Sequence, residues 1–314
     1  MTPRRVTLPR ALAPGSRVAV VAPGSPVDRR RLNAGLRVLE SWGLVPILGD
    51  TVYEKKGDLA GDDAARLDDL AWALGSDDVD AVWGARGGWG TARLLDRLDG
   101  DMKSVPPRWL YGSSDLTALQ SWLLGRGRPS WYAPLVVELA DGSRYRRRFL
   151  DRAVFDPLAP IDARIARAAT LVRGRASGTL AGGCLSVLAA LAGTKHAAEF
   201  KDRIVFLEDV GEPPYKIDRM LWQLRESGAF DRIAGLVFAQ FTRCRPGRGR
   251  SSRSLADVMR EHAEAIGVPA MSGYPAGHGP KTLPLPIGFD ATLDASASRL
   301  RIAPPAGHRG RRAR

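Results

Sequence analysis

Short apolar runs alternate with stretches whose apolar positions recur at helical spacing through the first half of the chain, the pattern of a parallel sheet covered by helices. Arg17–Val21 reads as a strand, and the PGSP turn behind it opens a helix from about Asp28 to Trp42. Leu44–Leu48 reads as a second strand, a helix follows from about Ala64 to Leu74, and Val79–Trp83 is a third strand. The loop GARGGWG, residues 84–90, then leads to a helix from about Thr91 to Leu98. Next, PPRWLYGSSDLTALQSWLLG predicts a short strand ending at Tyr111 and a helix beginning near Asp115. From about Asp141 to Arg175 the pattern loosens into arginine-rich, proline-containing sequence, which reads as an inter-domain connection. Beyond it, SGTLAGGCLSVLAALAG predicts a strand and a small-residue helix, and DRIVFLEDVGEPPYKIDRMLWQL a strand, a turn and a helix. IAGLVFAQF is a further strand, Ser254–Ile266 a helix, and the remaining segments read as hairpins. The expectation is an α/β chain: an N-terminal parallel-sheet domain over 1–150, a linker over 151–172 and a mixed α/β domain over 173–314.

Composition narrows the class. The 314 residues suffice for two domains, and 44% hydrophobic with 26% charged residues is the balance of a globular protein rather than a disordered or fibrous one. No run approaches the ~18 apolar residues of a membrane span. The basic N-terminus lacks the apolar core of a signal peptide, so a cytoplasmic protein is expected. Cys184 and Cys244 provide neither a disulfide framework nor a metal-ligand set.

The formal charge of +13 raises nucleic acid as a partner. Seven of the positive charges lie in residues 1–10 and 308–314, and two further clusters, Arg144/Arg146/Arg147/Arg148 and Arg243/Arg245/Arg248/Arg250/Arg253, fall in sequence that reads as loop. Tyr145 is the one aromatic set among these arginines, short of the series of aromatics on which single strands stack. The 40 arginines against seven lysines mark a compositional bias, and the charge points away from a nucleic-acid partner.

Candidate chemistry begins with histidine, because a serine hydroxyl needs a positioned base to become a nucleophile near neutral pH. Of four histidines, His262 is expected on the polar face of its helix, His196 follows a helix in a polar run and His308 lies in the basic tail. His278, in SGYPAGHGP, sits in an irregular loop able to present its ring to a cleft. Ser114 lies between an apolar run and a helix, where its hydroxyl stands at the carboxyl edge of the sheet; Ser-Ser-Asp is equally a helix cap. Glu208 ends an apolar run and could fix a histidine tautomer, with Asp209 and Glu212 as competitors. The GARGGWG loop matches no nucleotide-binding pattern, and the Gly88 N–H with the Asp115 N–H would make a two-donor oxyanion hole if the two loops are adjacent.

The strings APGSP, ARGGWG with RLLDRLD, GSSDLTAL, LAGGCLSVLAALAGT, IVFLEDVGEPPYKIDRML, FAQFTRC, and GYPAGHG with TLPLPIG occur in an order that resembles the LD-carboxypeptidase family of serine peptidases, which includes microcin-immunity peptidases. The resemblance runs from about residue 15 to 300. It implies a flavodoxin-like N-terminal domain carrying the nucleophile Ser114, a C-terminal domain carrying the acid Glu208 and the base His278, and oxyanion donors on Gly88 and Asp115. Three departures stand out. Ser113 occupies the place of a usual Tyr or Phe, Cys184 that of an Asn, and Trp131-Tyr132-Ala133-Pro134 stands where many relatives have His-Gly-Pro.

The implied reaction is metal-free and cofactor-free release of terminal D-alanine from a murein-derived peptide during wall recycling, by a homodimer. Such an exopeptidase must recognise a free carboxylate, for which Arg86 is the candidate. Two rivals stand beside it. One is a microcin-type peptidase acting on aminoacyl-nucleotide conjugates, disfavoured by the short Ser114-to-Glu208 interval and by the LEDVGEPPY string; the other is a non-catalytic basic protein binding polyanions.

Overall fold

In the computed structural model of the chain, the described residues are 8–102, 106–141, 144–166, 168–246, 253–279 and 281–306. The first half winds as β1 (Arg17–Val21), α1 (Arg29–Ser41), β2 (Val45–Leu48), α2 (Asp63–Gly75), β3 (Ala81–Gly84), α3 (Leu95–Asp101), β4 (Trp109–Gly112), α4 (Thr117–Gly125), β5 (Ser130–Tyr132) and α5 (Arg144–Phe155). Helix starts are fixed by local chemistry: Asp28 accepts from Arg31 N at 2.9 Å and Asp62 from Ala65 N at 3.0 Å. Strands β2, β1, β3, β4 and β5 lie side by side in that order, all parallel, with Val18–Val21 of the inner strand buried on both faces. This is the parallel sheet expected from the pattern, in the flavodoxin-like order that the family resemblance implies.

The second half contributes β6 (Ile161–Arg164), β7 (Ala169–Val172), β8 (Arg175–Cys184), α6 (Leu185–Leu191), β9 (Arg203–Val210), α7 (Pro214–Glu226), β10 (Gly235–Thr242), α8 (Leu255–Ile266), β11 (Ala270–Ser272), β12 (Leu285–Ile287), β13 (Asp290–Asp294) and β14 (Arg299–Ala303). Eight of these strands form one mixed sheet, ordered β6-β14-β13-β8-β9-β10-β11-β7. The exception is β12, which crosses back and pairs antiparallel with β5, closing the edge of the first sheet. Side chains alternate across the second sheet. Leu180, Cys184, Ile204, Phe206 and Val237 join the core shared with the first half, whereas Ala181, Val205, Leu207, Leu236 and Phe238 pack into a second core with Leu188, Ile217, Leu221 and Val258.

The arginine-rich stretch expected to be irregular is partly regular. Residues 144–155 form α5, because Leu150, Ala153 and Val154 recur at helical spacing and bury, and arginine is a good helix former. Residues 161–164 and 169–172, within the span read as a linker, are strands of the second sheet; they escaped notice because four-residue edge strands of mixed polarity carry little periodic signal. Of the other basic cluster, Arg253 pairs with Asp218 and Glu261, while Arg248 and Arg250 lie outside the described residues.

Candidate active site

The carboxyl ends of β1, β3 and β4 gather three loops: Ala22–Asp28, Ala85–Thr91 and Ser113–Leu116. Because β1 leads outward to β2 while β3 lies on its other side, the first two loops diverge, and a doubly wound sheet opens a crevice at such a point. Beneath them, Trp83 stacks on Tyr111 with centroids 4.5 Å apart, which adds about 0.5–1.5 kcal/mol beyond burial and stiffens both strand ends. A charged network then fastens the loops. Arg66, 1% exposed, donates to Pro23 O and to Asp63, and Asp63 also accepts from Arg93. Asp115, fully buried, accepts from Thr91 N at 2.9 Å and Thr91 Oγ1 at 2.7 Å; burial pushes its pKa up.

Ser114 sits on the turn between β4 and α4 with φ +59°, a left-handed conformation that costs a non-glycine residue roughly 1–2 kcal/mol. Ser113 before it is extended and buried. The turn brings Ser114, rather than Ser113, against the glycine loop: a Cβ on Gly87 would fall 2.8 Å from both Cβ and Oγ of Ser114 and 3.4 Å from Asp115 N. Only glycine leaves room there. Gly87 O accepts from Ser25 N at 3.1 Å, so the Gly88 N–H on the same trans peptide points away from Ser25. The Ser114 N–H donates to Tyr132 Oη at 3.1 Å.

Glu208, completely buried near the end of β9, is the point at which the two halves meet. Tyr132 Oη donates to its Oε1 at 2.5 Å, while His278 donates to its Oε2 from Nδ1 at 2.8 Å and from the backbone N at 3.2 Å. With Glu208 accepting, the imidazole proton is on Nδ1 and Nε2 keeps its lone pair, the tautomer a general base requires. Burial alone would pull the His278 pKa down. The Glu208 hydrogen bond and the charges of Glu208, Glu138 and Asp209 outweigh it, leaving the imidazole above its ordinary value. Among the described residues the Ser114 hydroxyl has no hydrogen-bond partner within the chain, so Ser114 connects to the Glu208–His278 pair through Tyr132.

The competitors for the acid face elsewhere. Asp209 accepts from Ser186 N at 2.8 Å on the opposite face of β9, and burial pushes its pKa up to about 6. Glu212 pairs with Lys216 at 3.2 Å. His262 corrects the sequence reading: it is buried rather than on the polar face of α8, with Nε2 2.8 Å from Asp218 Oδ1, because α7 covers that side. His196 pairs with Asp96 on α3, and His308 lies outside the described residues. Arg86 is exposed and donates to Pro26 O across the mouth of the glycine loop.

Residues 18–133 match the N-terminal domain of LD-carboxypeptidases, and residues 177–293 match their C-terminal domain. The chain belongs to the LD-carboxypeptidase family. As a member it is a peptidase. A murein tetrapeptide carboxypeptidase of Pseudomonas aeruginosa is 36% identical over 90% of this chain and 94% of its own. The crystal structure of a muramoyltetrapeptide carboxypeptidase from Oxalobacter formigenes superposes with a TM-score of 0.78 at 26% identity, covering 92% of this chain and all of that one. The microcin C7 self-immunity protein, at 17% identity, has a TM-score of 0.83 over 95% of this chain and 99% of its own, a likeness of fold alone.

Four residues to which sequence reasoning gave no role brace this candidate site. Tyr132 lies inside a three-residue strand of apolar character, where nothing distinguishes a bridging phenol from a core aromatic. Gln240 accepts from Gly279 N at 2.9 Å, and Thr282 Oγ1 accepts from Gly277 N at 2.9 Å, pinning the His278 loop from either side. Thr117 Oγ1 accepts from Cys184 N at 3.0 Å, a second tie between the halves; Cys184 itself is buried at the end of β8 and burial pushes its thiol well up.

Proposed function

We propose that this chain is a serine-type LD-carboxypeptidase that hydrolyses the amide between an L-configured centre and a terminal D-alanine in murein tetrapeptides. The observation that carries the reading is the buried Glu208 carboxylate, which holds His278 Nδ1 directly and the strained Ser114 turn through Tyr132. In the proposed mechanism Ser114 Oγ attacks the scissile carbonyl while His278 Nε2 takes the hydroxyl proton. The C–N bond breaks as that proton passes to the departing D-alanine amine, and water then hydrolyses the acyl-serine by the reverse proton route. The amides of Gly88 and Asp115 serve as oxyanion donors. The Ser114 amide is already engaged by Tyr132, which leaves the next amide in the helix start for that task. Exposed Arg86 receives the substrate carboxylate.

The substrate assay uses three compounds: a diaminopimelate-containing tetrapeptide, a pentapeptide ending in two D-alanines and an aspartyl sulfamoyl adenosine. D-alanine release from the tetrapeptide, followed by mass spectrometry, is the expected outcome. Turnover of the nucleotide conjugate alone would replace this reading with the microcin-type one.

A pH dependence follows from the site. The base must be neutral, and its pKa is raised, so the acidic limb of kcat/KM should lie above the ordinary histidine value of 6.5, with activity lost as pH falls through it. Glu138 contributes to that elevation by charge. Glu138→Gln is therefore expected to move the acidic limb down by a few tenths of a pH unit while leaving the plateau near wild type. A pH–rate profile of both proteins checks the direction.

A further inference from the structure

We propose that Tyr132 is a positioning residue that registers the nucleophile turn against the acid and sets the basicity of the Glu208–His278 pair. This deepens the serine-peptidase reading and rests on it. The phenol is fully enclosed and engaged on both sides, accepting from the Ser114 N–H at 3.1 Å and donating to Glu208 Oε1 at 2.5 Å. Its ring is fixed edge-on to Phe206, two residues before Glu208 on the same face of β9, with centroids 5.2 Å apart. Burial and the neighbouring Glu208 charge keep the phenol protonated, so it acts as a donor toward the carboxylate.

Two effects follow from one hydroxyl. It gives the backbone N–H of a left-handed residue an acceptor, holding Ser114 in the conformation that sets its side chain against the glycine loop. It also draws negative charge from the carboxylate oxygen opposite the one that faces His278. Without that donor, the charge facing the imidazole is less compensated, and the pair takes up its proton at higher pH.

The test is an NMR titration of the histidine rings, four in the chain, with His278 assigned by its loss in His278→Gln. In Tyr132→Phe, which keeps the ring and removes only the hydroxyl, the His278 midpoint should rise by about half a pH unit or more. Replacing Tyr132 site-specifically by 3-fluorotyrosine, whose phenol is a stronger donor, should lower the midpoint instead and provides a variant with intact packing if the phenylalanine protein folds poorly. In the release assay, Tyr132→Phe should lower kcat about tenfold or more with KM within about twofold, and carry its acidic limb upward. A His278 midpoint unmoved by either replacement overturns the proposal. The titration needs no substrate, so it judges Tyr132 even if wild type releases no D-alanine, a result that would instead sink the proposed activity.

Discussion

Ser114→Ala is expected to reduce kcat for D-alanine release by roughly 10⁴–10⁶-fold, the scale seen when a triad nucleophile is removed while binding and oxyanion donors remain. The structural reason is that the hydroxyl has no substitute. Ser113, the adjacent serine, is extended and buried, and it is Ser114 whose side chain lies against Gly87 of the glycine loop. Alanine also keeps the left-handed φ and the Ser114 N–H contact to Tyr132, so the backbone cost is unchanged between the two proteins. The melting temperature should stay within about 2 °C of wild type, which separates lost chemistry from lost folding. Single-turnover mass spectrometry provides the positive arm: an acyl adduct on the Ser114 peptide in wild type and none in the variant. Retention of turnover by Ser114→Ala would remove the nucleophile from the mechanism.

The second large effect is expected from Gly277→Ala, a change of one methyl group outside the triad. Gly277 has φ +128°, a conformation L side chains rarely adopt, and a Cβ there would lie 2.4 Å from Glu208 Oε2 and 3.1 Å from Glu208 Cβ. Glu208 cannot yield, because it is enclosed and its other oxygen is held by Tyr132. The loop must move instead, taking His278 with it. A displacement near 1 Å at a general base costs about a hundredfold in kcat, and the strained backbone about 1–3 kcal/mol in stability. Gly279→Ala is the control. Its Cβ would meet the Gln240 side-chain amide at 2.4 Å, but that side chain is half-buried and can rotate, so the loss should stay below about tenfold. Steady-state kinetics with calorimetric melting of the two variants decides the ranking; equal losses would mean that Glu208 does not fix the loop.

Much of the candidate site was legible because polar groups at strand ends leave a mark in sequence. Ser114, Glu208 and His278 each interrupt or follow an apolar run beside glycine or proline, and the glycines of 84–90 announce a loop that something approaches closely. The α5 helix was obscured by arginine, whose long side chains make a helix surface look like a basic loop. His262 was misjudged because the face of α8 that α7 would cover cannot be read from α8 alone.

The acid shows where that limit lies. Sequence spacing leaves Glu208 and Asp209 as competitors; because β9 runs on to Val210, strand alternation sends them to opposite faces, Glu208 with Ile204 and Phe206, Asp209 with Val205 and Leu207. Both faces are apolar, so nothing in the pattern says which one turns toward Ser114. Docking of the two sheets decides it: the Ile204/Phe206 face meets the first half, and Glu208 is thereby enclosed with Tyr132 and His278 while Asp209 caps α6 on the far side. The sequence by itself determined the parallel-sheet half, the three strand-end candidates and the glycine loop, because these rest on local periodicity and turn chemistry. The Tyr132 bridge to Glu208 and the pairing of Glu208 with His278 depend on contacts between residues 76 and 70 positions apart, which only the packing of one sheet on the other can set.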